Sequence, residues 1–169
     1  MMKNLVLPVL FLLFFFPVYS QEPGSVAADA GPMNTAAGID RCSLVAFATQ
    51  YVGTPYRRAG SDPKRGFDCS GFVTYVFNHF KLGLPRSSGE YKVLGTALRP
   101  EEFRVGDVIV FYGFRDRRRI GHVGIVCEAD GMKSRFIHAS SGKAHSVTIS
   151  DLGSAGYRTR FYKCIDVIR

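Results

Sequence analysis

Two segments early in the chain place apolar residues at helical spacing. Leu44, Phe47, Ala48, Tyr51 and Val52 form one stripe, with Asp40 placed to cap it and Gly53 to end it. Phe72, Val73, Val76, Phe77 and Phe80 form the second, opened by Asp68 and running to about Lys81 before Gly83 and Pro85. Ser87-Ser88-Gly89-Glu90 has the spacing of a capping box and predicts a shorter helix to about Leu98. The pattern then changes. Val108–Tyr112, Gly121–Cys127, Phe136–Ser140, Val147–Ile149 and Tyr162–Ile168 are short β-branched and aromatic runs, and Asp130-Gly131 is a hairpin-turn signal between the second and third. Helices first and strands afterwards predict an α+β fold, with N-terminal helices packed on a five- to six-stranded antiparallel sheet.

The first 20 residues stand apart from that domain. Lys3 is followed by an almost unbroken apolar run from Leu5 to Phe16, then Pro17 and a Val18-Tyr19-Ser20 cleavage context. This is the pattern of a secretory signal peptide over residues 1–20, and a retained membrane anchor is the alternative. Residues 21–39 are polar, small and aperiodic and predict a flexible linker, leaving 40–169 as the folded domain. Removal of Lys3 with the leader takes the net charge from +8 to +7. A basic exported protein is held near anionic polymers of the cell envelope. No zinc-finger, basic-leucine or RNA-binding aromatic signature is present, so nucleic acid is not the expected partner.

The candidate chemistry begins at Phe67-Asp68-Cys69-Ser70-Gly71. Cys69 is predicted as the first residue of a helix, where free N–H groups and the helix dipole favour a thiolate. A structural cysteine beside a capping aspartate is the bland alternative. Of the four histidines, His79 is expected to face solvent and His145 to lie in a loop, whereas His122 and His138 each interrupt an apolar strand and need a partner there. Neighbouring antiparallel strands bring both to one face, as a Cys–His–His hydrolytic set requires. The cysteines (Cys42, Cys69, Cys127, Cys164) are too widely spaced for a metal motif, and no cofactor is expected. With Cys69 free, at most one disulfide forms; its pairing, or three reduced core cysteines, stays open.

Three motifs, Phe67–Val73, Gly121–Ile125 and Phe136–Ser140, resemble those of the NlpC family of cell-wall cysteine peptidases. Gly53-Thr54-Pro55-Tyr56, Leu84–Ser88 and Gly106–Ile109 resemble its flanking landmarks, in the same order. The resemblance implies a papain-like fold and hydrolysis of amide bonds in peptidoglycan stem peptides, commonly between γ-D-glutamate and diaminopimelate. Cleavage of the D-Ala–diaminopimelate cross-link, an N-acetylmuramoyl-L-alanine amidase and a non-catalytic wall-binding module are the alternatives. It implies Cys69 as nucleophile, His122 as base, His138 as its orienting partner and Tyr56 beside the oxyanion. Asp68 and Ser70 would hold the L-alanine ammonium of a free stem. Arg117, Arg118 and Arg119 lie just before His122 in sequence and would border the cleft, with Arg119 meeting a stem carboxylate; a solvated basic loop is the alternative. The enzyme is expected to act as an exported monomer in the periplasm or envelope. Two departures bear on substrate choice: the turn after the His122 strand is long and polar, and Cys127 stands where the family commonly has an aromatic residue.

Overall fold

The computed structural model describes residues 38–168, so the signal peptide and nearly all of the linker lie outside the described residues. Helix α1 (Arg41–Thr49) opens at Asp40, whose carboxylate accepts the N–H groups of Cys42 and Ser43. Its Leu44 and Ala48 are fully buried. A two-strand hairpin, β1 (Ser61–Asp62) and β2 (Gly66–Phe67), lies inside the basic loop that precedes helix α2 (Cys69–His79). Five strands follow: β3 (Val108–Tyr112), β4 (Ile120–Glu128), β5 (Arg135–Ala139), β6 (Val147–Asp151) and β7 (Phe161–Ile165). A one-turn helix α3 (Ala155–Arg158) connects the last two. The strands form one antiparallel sheet in the order β6-β5-β4-β3-β7, as the segregation of helices and strands predicts.

Alternation along the strands divides the core in two. Val108, Val110, Val123, Ile125, Ile137 and Ala139 pack with Phe72, Val73, Val76 and Phe77 of α2. Ile109, Phe111, Val126 and Phe136 face the other way, with Phe103, Leu152 and Cys164. One polar tie fixes α1 to the end of the sheet. Arg41 donates to Asp107 at 2.7 Å, to Asp166 at 2.5 Å and to the Val105 carbonyl at 3.0 Å.

Two local expectations are corrected. The helix predicted from Ser87 to Leu98 is a 3₁₀ turn at Ser88–Lys92, although Glu90 does accept the Ser87 N–H at 3.2 Å. The remainder is drawn out along β7. Lys163 Nζ donates to the carbonyls of Leu94 and Gly95, Ala97 bridges Ile165, and the Leu98 N–H donates to the Cys164 carbonyl. Those contacts cover an otherwise open sheet edge. Asp130-Gly131 is not a two-residue hairpin turn but leads into a 3₁₀ turn at Gly131–Lys133, with a register shift between Val126 and Glu128. All four cysteines are free thiols. Among the described residues no helix is long and apolar enough to cross a membrane.

Candidate active site

Cys69 is the first residue of α2, and packing of the preceding loop sets its position. The Asp68 side chain caps the helix by accepting the Gly71 N–H at 2.7 Å, and the Asp68 N–H donates to the Gly60 carbonyl at 3.0 Å. That carbonyl fills the space where a side chain on residue 71 would be: a Cβ there would lie 2.0 Å from the Gly60 oxygen. The glycine after Asp68-Cys69-Ser70 is thus required by the approach of the loop. Cys69 is 8 % exposed, and the backbone N–H groups of Val123, Ser70 and Cys69 itself favour a negative charge on its sulfur. Val123 follows His122 on β4, so the sulfur lies against the strand that carries the histidine.

The two strand histidines meet. His122 Nε2 and His138 Nδ1 are 2.9 Å apart, and both residues are buried on the Phe111–Phe136 side of the sheet. Gly124 makes room for this: a Cβ there would stand 2.6 Å from the Phe136 ring and 3.1 Å from His138 Cβ. The outer nitrogen of His138, Nε2, is 3.0 Å from Ser150 Oγ on β6 and 3.3 Å from the Tyr157 hydroxyl on α3. His122 Nε2 is occupied by His138, which leaves Nδ1 as the nitrogen open to a reacting group.

The electrostatics differ from the helix-dipole expectation. Burial and then the neighbouring Asp68 carboxylate push the Cys69 thiol up, against the three N–H groups that favour the thiolate. Burial pushes His122 well below the ordinary imidazole value, with further repulsion from His138 and Arg160. Burial, then Arg160, pushes His138 down to about 3. All three shifts favour the uncharged forms of the thiol and the imidazoles.

Gly121 borders two cavities. One, about 780 Å³, is lined by Cys69, Tyr56, Asp68, Ser70, Arg86 and Glu90. The other, about 700 Å³, is lined by His122, Ser140, Tyr157, Arg115, Arg160 and Phe114. Tyr56 is placed beside the thiol, its N–H held by the His145 carbonyl at 2.9 Å; burial, then Cys69 and Asp68, push its hydroxyl up.

Asp68 and Ser70 reach the cavity already engaged. Arg86 forks onto both Asp68 carboxylate oxygens at 2.9 Å and donates to Ser70 Oγ at 3.3 Å. Arg119 does not join the site: it is exposed, lines neither cavity, and lies 3.7 Å from Asp116. Arg118 pairs with Asp116, and Arg117 donates to the Thr159 carbonyl. Their exposure and a nearby carboxylate hold these arginines in solvent rather than at the cleft. Ser150, Tyr157, Arg86 and Arg160 are the site residues that sequence reasoning missed. Ser150 was findable in principle, as a polar residue two positions from Thr148 on a strand next to His138. Among the described residues no group of three or more His, Cys, Asp or Glu is placed to hold a metal ion.

Comparison with known proteins agrees with this arrangement. A gamma-DL-glutamyl hydrolase of Bacillus subtilis is 37% identical over 118 residues, 69% of this chain and 27% of that protein. A probable endopeptidase NlpC homolog of Haemophilus influenzae is 37% identical over 111 residues, 65% of this chain and 54% of the relative. The chain thus spans about a quarter of the first relative and about half of the second. A crystal structure of an NlpC/P60 family protein from Bacillus cereus superposes with a TM-score of 0.69 at 27% identity, covering 79% of this chain and 42% of that one. The NlpC/P60 family model matches residues 53–166, from the turn before Tyr56 through β7, and the chain belongs to the NlpC/P60 family.

Proposed function

We propose that this protein is an exported cysteine endopeptidase that hydrolyses amide bonds in peptidoglycan stem peptides. The observation that carries the reading is the start of α2 set against β4, whose His122 meets His138 of the neighbouring strand β5 at 2.9 Å. Membership in a family of hydrolases, and relatives described as a glutamyl hydrolase and an endopeptidase, support the reaction class. The apolar run after Lys3 supports export.

In this reading Cys69 Sγ attacks the amide carbonyl as its proton passes to His122 Nδ1. That requires the proton of neutral His122 to sit on Nε2 and be donated to His138 Nδ1. His138 then carries its own proton on Nε2, toward Ser150. His138 orients His122 without the negative charge that an aspartate would supply. The N–H groups at the helix start and the Tyr56 hydroxyl meet the developing oxyanion. Collapse of the tetrahedral intermediate expels the amine with the proton from His122 and leaves a thioester. Water attacks the thioester with His122 again as base, releasing the acid and restoring the thiol.

The γ-D-glutamyl–diaminopimelate bond is the preferred target, with the D-Ala–diaminopimelate cross-link as second. Mass spectrometry of a stem tetrapeptide, a sugar-bearing muropeptide and a cross-linked dimer, incubated with the wild-type protein and with Cys69→Ala, tests the reading. A product formed by the wild type and absent with the folded variant is expected. Equal turnover by the variant removes Cys69 as nucleophile, and no product from any substrate overturns the endopeptidase assignment.

A further inference from the structure

The cavity beside His122 contains a cation that the hydrolytic centre does not use. Arg160 is half-buried at its wall, and its guanidinium lies over the Tyr157 ring at 5.1 Å and near Phe111 and Phe114 at 5.9 and 5.8 Å. Nε donates to the Gly156 carbonyl at 2.8 Å, and Nη1 reaches the Tyr112 carbonyl at 3.4 Å. These bonds fix the plane of the group yet use only two of its five N–H donors. Among the described residues no carboxylate pairs with Arg160, whereas Arg86 has one such partner and Arg41 and Arg135 have two each. The cavity lining includes Arg115 as well and contains no aspartate or glutamate. A desolvated, held and unpaired guanidinium is arranged for an anionic ligand, and a planar carboxylate matches its fork.

Its side of the centre identifies which half of the substrate that ligand belongs to. His122 must deliver its proton to the leaving amine, so the leaving half occupies the cavity that His122 lines, while the acyl half stays with Cys69 in the other. We propose that Arg160 is a specificity residue that binds a carboxylate on the amino acid whose amine leaves. This deepens the endopeptidase reading and rests on the roles given there to Cys69 and His122. For both candidate bonds the leaving residue is diaminopimelate with a free D-centre carboxylate, which lies next to the leaving nitrogen in the cross-link and at the far end of the side chain in the γ-D-glutamyl bond. Neutralising Arg160 in this way also removes a positive charge that repels protonated His122 and His138.

The test compares the stem tetrapeptide and the cross-linked dimer with the same compounds bearing a carboxamide in place of that carboxylate. The wild type should prefer the carboxylate form by about tenfold or more in kcat/KM, the range of a charged hydrogen-bonded contact. Arg160→Gln should bring the ratio close to one, and Arg160→Lys should retain part of it. The ratio within one protein does not depend on the fraction folded. A wild type indifferent to the carboxamide, or an Arg160→Gln variant that keeps the full preference, overturns the proposal. Calorimetric binding of meso-diaminopimelate to Cys69→Ala, with and without Arg160→Gln, makes the same comparison without turnover. Loss of binding with Arg160→Gln supports the proposal even where no substrate is cleaved, an outcome that instead refutes the endopeptidase reading; unchanged binding overturns it.

Discussion

Acidification should destabilise this protein through its buried histidine pair. His138 is fully buried, and burial followed by repulsion from Arg160 holds it at about 3 rather than the ordinary 6.5. The unfolded chain therefore takes up a proton, between about pH 6.5 and about pH 3, that the folded chain refuses. Stability is lost as pH falls through that window and is level above it. For one such residue, the two binding curves give a loss of about 2 kcal/mol between pH 7 and pH 5. His122 is pushed in the same direction, so acid acts on the pair with the same sign. The assay is urea unfolding of the wild type and of His138→Asn at both pH values. The wild type should lose about 2 kcal/mol more than the variant on going to pH 5, because carboxylates and other groups common to both cancel in the difference. Equal losses would refute the inference that His138 is held neutral by burial. A larger loss in the variant would place the proton-refusing site elsewhere.

Two further substitutions test the loop that positions Cys69. Gly71→Ala should destabilise the fold by about 1–3 kcal/mol in urea unfolding, since its Cβ would meet the Gly60 carbonyl at 2.0 Å; the same change in an open helix interior stabilises, so a gain would refute the packing argument. A double-mutant cycle of Arg86→Ala and Asp68→Asn should give a coupling of about 1 kcal/mol, modest because Arg86 is partly exposed, and Arg86→Lys should fail to restore it for lack of a fork; additive effects would mean the pair contributes nothing.

The elements most legible in the sequence are those in which pattern and local chemistry coincide. Both helices begin where an aspartate precedes a 3.6-residue stripe, and in both the carboxylate caps the first turn. The five strands were visible as β-branched runs because each is buried by alternation on a two-sided sheet. Residues 93–98 misled for the opposite reason. Their helical start signal at Ser87-Glu90 is real, but the edge of β7 offers the following backbone better partners, and neither Lys163 nor Ile165 is close to them in sequence. Propensity speaks for a few residues at a time, and the competing interaction came from about 70 residues away.

The same distinction separates the parts of the site. His122 and His138 were legible because an imidazole among apolar strand residues has few ways to be satisfied, and one hairpin brings the two together. Arg160 could not be singled out, because a basic chain offers many arginines and only folding shows which lack an acidic partner. The sequence drew attention to Arg117, Arg118 and Arg119 by their closeness to His122 along the chain. In space that run turns to Asp116 and solvent, while α3 and the start of β7 bring Tyr157 and Arg160 to the histidines. Asp68 shows what pattern alone leaves out. It caps the helix as expected, and it also carries Arg86 on both carboxylate oxygens, a partner 18 residues away. A free stem amine that enters this cavity must therefore compete with a guanidinium for Asp68 or turn to Glu90. The amine of the stem thus meets a carboxylate that is already paired, whereas Arg160 on the His122 side is held and unpaired, and selectivity should be decided by the leaving half rather than by the amine of the stem.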